Sequence, residues 1–180
     1  AAAADQPSPP PDKPTATGQY GVNMVEDIVQ LMDHLRIQQA HVIGYSMGGM
    51  ITMKLLTLHP DRVRSAVLGG MGWLRTDSPL ERSWEWMPGR NAGATPAACA
   101  QEFGKLAVTE QEVKSIRVPV TMIVGDRDPT RRMYVEPLER VRPDWPVHLV
   151  ADAGHLNCIL KPDFKAHLKA ALDHNSGVKP

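Results

Sequence analysis

A serine, an aspartate and a histidine, far apart in the chain, are the residues through which this sequence could do chemistry. Ser46 lies in Gly44-Tyr45-Ser46-Met47-Gly48-Gly49, a Gly-x-Ser-x-Gly pattern. Ahead of it runs the apolar stretch Ala40-His41-Val42-Ile43, and after it the helix-like Met50-Ile51-Thr52-Met53-Lys54-Leu55-Leu56. A strand that turns sharply into a helix presents its serine at the tip of a strained turn. Glycines two positions before and after are expected to keep side chains from clashing with the turn or crowding a substrate. The helix points its amide end at the serine, where negative charge developing on an oxygen would be stabilised.

A serine hydroxyl is a weak nucleophile near neutral pH, so it needs a base and a group to orient that base. Two later loops supply both. Gly125-Asp126-Arg127-Asp128-Pro129 follows the strand-like Val118-Pro119-Val120-Thr121-Met122-Ile123-Val124, and Asp152-Ala153-Gly154-His155 follows a strand expected over 145–151. The order Ser, Asp, His, each just past a strand end, suits a triad. Ser46 is then the nucleophile, His155 the general base and later the acid, and Asp128 the carboxylate that holds the imidazole in the right tautomer. Asp128 is preferred to Asp126 because it lies further out on the loop, with Pro129 fixing the turn. A serine so placed could also merely cap a helix, but the downstream partners weigh against that. His41, His59, His148, His167 and His174 have no matched partners in the sequence and read as structural or solvated.

The elements that must position these groups alternate. Val22, Val25, Ile28, Val29, Met32 and Leu35 recur at helical spacing and predict an amphipathic helix over 20–35, feeding the strand at 40–44. The helix from Met47 should stop at His59-Pro60, and Val63 to Gly69 reads as the next strand. A strand over 118–124, a helix over about 131–141, a strand over 145–151 and a last helix over 162–172 complete the series. Strands alternating with helices predict an α/β fold with a mostly parallel sheet flanked by helices, its chemistry at the carboxyl ends of the strands. Residues 72–117 change character and read as a short helical lid, with Leu80, Trp84 and Met87 at helical spacing and a further helix over 110–116. Tyr45, Met71, Trp73 and Trp84 are the candidate walls of a substrate pocket; Tyr45 could equally fill the turn, and the helical spacing of Leu80, Trp84 and Met87 suits packing of the lid at least as well.

Composition narrows the function classes. With 180 residues, 42% hydrophobic and 22% charged, the chain has the make-up of an ordinary globular domain. Twenty basic and twenty acidic residues cancel, so no basic field argues for nucleic acid. No apolar run is long enough to span a membrane. Cys99 and Cys158 show neither metal-ligand spacing nor a disulfide framework, and exclude neither a cytoplasmic nor a secreted setting. No metal and no organic cofactor is expected. Residues 1–19, rich in Ala and Pro, read as a disordered or linker segment ahead of a domain over 20–180.

The three blocks Ala40-His41-Val42-Ile43-Gly44-Tyr45-Ser46-Met47-Gly48-Gly49, Val118-Pro119 with Gly125-Asp126-Arg127-Asp128, and Ala153-Gly154-His155 resemble α/β-hydrolase-fold serine hydrolases of the esterase or lipase type. The resemblance covers the later part of that fold. It implies ester hydrolysis of small-molecule substrates through Ser46, Asp128 and His155, and it matches the amide of Met47 to one oxyanion donor. It also implies a truncated fold, since several strands normally precede the helix at 20–35. The second oxyanion donor normally comes from a loop among those strands, often marked His-Gly, a dipeptide this chain lacks. An open apolar edge at 40–44 is then expected, which a second copy of the chain could cover. Lactonase, thioesterase and acyltransferase activities reuse the same triad. A rival reading is a non-catalytic remnant that binds an apolar ligand or a partner chain.

Overall fold

The structure, a computed structural model, describes residues 20–75, 78 and 103–177. Four parallel strands form its sheet in the sequential order β1 (Ala40–Tyr45), β2 (Val63–Gly69), β3 (Val120–Gly125) and β4 (Val147–Val150). Among the described residues these are accompanied by the helices α1 (Val22–His34), α2 (Met47–Leu58), α3 (Glu110–Ser115), α4 (Glu136–Val141) and α5 (Pro162–Ser176). This is the predicted α/β architecture, with the sheet covered on two sides.

Strand alternation divides the core into two. Ala66 and Leu68 of β2, with Met122 and Val124 of β3, join the larger cluster with Val25 and Val29 of α1 and Met53, Leu55 and Leu56 of α2. Val67 and Ile123, pointing the other way, join Val150, Ala153, Cys158, Phe164 and Ala171 on the α5 side. Helix α2 is buried at Gly49 to Met53 and again at Leu55 and Leu56, as expected of a helix apolar nearly all round.

Several boundaries differ from the sequence reading, each for a local reason. β3 and β4 begin at Val120 and Val147 because the residue before each is a proline, which has no N–H to give a ladder. Pro119 and Pro146 still accept through their carbonyls, from Ala66 N at 2.9 Å and from Met122 N at 2.8 Å. The helix expected over 131–141 opens as a π-helical turn, Arg131–Val135, before α4. Pro137 cannot donate to the carbonyl four residues back, so the preceding turn widens. Helix α5 runs past 172 to Ser176, where Gly177 caps it in the left-handed conformation at φ 70°. Most of the segment read as a lid, including Leu80, Trp84 and Met87, lies outside the described residues, as do Cys99 and residues 1–19. Its described C-terminal part holds α3, opened by a capping box between Thr109 and Glu112.

The register sets the carboxyl ends of the strands side by side. Tyr45 pairs with Gly69, Gly69 with Ile123, and Gly125 with Val150. The loops carrying Ser46, Asp128 and His155 therefore leave the sheet along one edge.

Candidate active site

Ser46 follows β1 and precedes the first residue of α2, in a turn too tight for ordinary backbone. Its φ of 53° and ψ of −117° fall where non-glycine residues are strained. Its N–H donates to Gly69 O at 2.8 Å, which ties the turn to β2. Gly44 is needed because a Cβ there would lie 2.1 Å from Gly48 O and 2.4 Å from Thr52 Oγ1. Of the two reasons expected for a glycine at 48, the clash with the turn is not met, since a Cβ there has no described atom within 4 Å. Gly49 is the tightly packed neighbour instead, against Met71. As the first residue of α2, Met47 has an N–H with no acceptor inside the helix.

The loops after β3 and β4 are zipped together. Asp126 N donates to Val150 O and Arg127 N to Ala153 O, each at 3.0 Å, and Ala153 N donates to Asp126 Oδ1 at 3.0 Å. The backbone N–H of Ala153, and next that of Asp152, hold the Asp126 carboxyl below the usual carboxylate range. Arg127 and Asp152 add an exposed ion pair across the seam. Asp126 thus joins the loops, and Asp128, buried at 3% exposure, is the carboxylate that reaches the histidine.

The three side chains named from the sequence meet. Ser46 Oγ lies 2.7 Å from His155 Nε2, and His155 Nδ1 lies 2.8 Å from Asp128 Oδ2. With Nδ1–H donating to the carboxylate, Nε2 is left to accept from the serine hydroxyl. The second carboxylate oxygen, Asp128 Oδ1, accepts from Thr130 N at 2.9 Å and Thr130 Oγ1 at 2.7 Å. Thr130 was not singled out in the sequence; the signal was the Asp-Pro-Thr turn, in which an aspartate oxygen bonds two residues ahead. The arrangement can move a proton from a hydroxyl to an imidazole whose far side is stabilised by a buried carboxylate.

The expected pocket walls fare differently. Met71 and Trp73 are core residues, 2% and 5% exposed, and the Trp73 indole donates to Val108 O at 2.6 Å. Tyr45 turns to the α5 side of the sheet, where its hydroxyl bonds the backbone of His155. Trp84 lies outside the described residues. Four of the other histidines have structural partners: His41 Nδ1 with Ser65 Oγ at 2.7 Å, His59 with Glu26 at 2.9 Å, and His148 stacked on His167. Among the described residues no group of three or more His, Cys, Asp or Glu side chains could hold a metal ion, and no helix is long and apolar enough to cross a membrane.

The family model for the alpha/beta hydrolase fold matches residues 3–111, more than half of the chain. The chain belongs to the alpha/beta hydrolase fold family. The matched range contains Ser46, while the histidine and aspartate that meet it come from beyond. Among relatives of this family, a candidate carbamate hydrolase, RutD of Caulobacter segnis, is 38% identical over 69 residues, covering 38% of this chain and 26% of that protein. Carboxylesterase YbfK of Bacillus subtilis is 25% identical over 191 residues, covering 84% of this chain and 63% of that protein. The chain thus spans less than two thirds of the length of either. A solved hydrolase-fold structure from a study of carboxylesterases of Nitrososphaera gargenis superposes with a TM-score of 0.67 at 17% identity, over 90% of this chain and 75% of that one.

Proposed function

We propose that this hydrolase-fold chain is a serine ester hydrolase acting on small to medium acyl esters through an acyl-enzyme. The observation that carries the reading is the unbroken chain of short hydrogen bonds from Ser46 Oγ through His155 to Asp128. As Ser46 Oγ attacks the acyl carbon, His155 Nε2 takes its proton and Asp128 stabilises the imidazolium. The carbonyl oxygen becomes an oxyanion within reach of the Met47 N–H. Collapse expels the alcohol, which receives the proton from His155, and leaves Ser46 acylated. Water, deprotonated by the same imidazole, then attacks the acyl group and restores the serine.

The carboxylesterase names among the relatives support an ester as the substrate class, and the carbamate hydrolase name supports including a carbamate among the substrates tried. Met47 supplies one donor to the oxyanion.

The test is hydrolysis of a p-nitrophenyl acyl series, with a p-nitrophenyl carbamate alongside. Ser46→Ala should lose nearly all turnover, by about 10⁴-fold or more, together with labelling by a fluorophosphonate probe. Equal rates for Ser46→Ala and the unaltered chain would leave the non-catalytic reading in its place.

A further inference from the structure

Tyr45 sits one residue before Ser46, yet its side chain serves the opposite partner of the site. Successive residues of β1 face opposite ways, so Gly44 meets α2 and Tyr45 the α5 side. There its ring stands edge-on to Phe164, centroids 5.7 Å apart and planes at 75°. The slot that takes the ring exists because the end of β2 has no side chains. A Cβ at Gly69 would lie 2.6 Å from Tyr45 Cδ2, and one at Gly70 would lie 2.9 Å from Cζ. At the far end of the slot the phenol donates to the backbone carbonyl of His155 at 2.6 Å. Burial pushes ionisation of the phenol well above its usual range, so the group remains a donor wherever esters are hydrolysed enzymatically.

We infer that Tyr45 is a positioning residue that holds His155 over Ser46. The inference rests on the triad reading above and deepens it. The contacts close a ring: the backbone of Tyr45 runs into Ser46, Ser46 Oγ meets His155 Nε2 at 2.7 Å, and the carbonyl of His155 returns to Tyr45 Oη at 2.6 Å. Such a ring fixes the hydroxyl-to-imidazole distance without Tyr45 touching a substrate. The need for it is local, because His155 lies in an exposed turn whose next residue, Leu156, is 88% exposed. Among the described residues the turn's other main-chain fastenings grip its neighbours, with Asp126 and Arg127 bonded to Ala153 and with Asn157 and Cys158 bonded to Gly154. Tyr45 grips the main chain of the histidine itself.

Tyr45→Phe keeps the ring and its slot and deletes the hydroxyl alone. On p-nitrophenyl acetate its kcat is expected to fall about tenfold, the equivalent of one hydrogen bond of ordinary net strength. KM should stay within about twofold, since ground-state contacts are untouched. Hydrogen–deuterium exchange gives a readout independent of turnover: amides over 154–158 should exchange faster in the variant, with those of α2 unchanged. A kcat equal to that of the unaltered chain, a loss confined to KM, or unchanged exchange over 154–158 each overturns the inference. Ser46→Ala run in parallel separates the two readings. If it hydrolyses normally, the triad reading has failed. If it is inactive while Tyr45→Phe matches the unaltered chain, the positioning role alone has failed.

Discussion

At the scale of single residues, Gly44 and Gly48 look interchangeable in the sequence and are opposites in the fold. Gly44→Ala would place a methyl carbon 2.1 Å from Gly48 O, a backbone atom of the turn that carries Ser46. The expected outcome is a loss of about 3 kcal/mol in denaturant unfolding, the upper end for overpacking, with hydrolysis abolished. Gly48→Ala, which meets no described atom, should stay within about 1 kcal/mol in the same titration. The order Ser46, Asp128, His155 was legible because each group sits just past a strand, a spacing readable without coordinates. Thr130 was not, since a threonine two residues after an aspartate looks like any turn. Whether Tyr45 shapes a pocket or fills the turn was not legible, because adjacency to Ser46 does not say which face of the sheet a side chain takes. Strand alternation from Gly44 held that answer.

At the scale of elements, β4 and α5 meet through two stacked imidazoles, His148 and His167, with centroids 4.5 Å apart. Burial, then the neighbouring His167, lowers the pKa of His148 below the ordinary imidazole value. The folded state therefore binds that proton less readily than the unfolded chain. The contribution is fully present above the unfolded value of about 6.5 and is lost as pH falls below it, towards the lowered folded value. Urea midpoints measured from pH 7.5 down to 5 should decline less steeply in His148→Phe than in the unaltered chain; parallel curves would refute this. Helix and strand positions were read well where the apolar period was strong. The π-helical turn before α4 was hidden because the consequence of Pro137 falls on the turn before it. The extension of α5 to Ser176 was missed although Gly177 marked its end.

At the scale of the whole molecule, the sheet runs in chain order, and among the described residues β1 pairs with β2 alone. Among the described residues no strand lies on the outer side of β1, where Ile43 is half exposed. The α/β class and the parallel sheet were legible because β-rich runs and helical periods alternate along the chain. Which residues wall a pocket was not legible, since apolar residues such as Met71 and Trp73 suit a core as well as a cavity.

The unusual φ and ψ of Ser46 carry a cost of their own. A side chain held in that region costs on the order of 1–3 kcal/mol, and glycine would adopt it freely. Under the proposed function, the turn gives up that stability to present a hydroxyl; a glycine there would recover it and leave nothing to react.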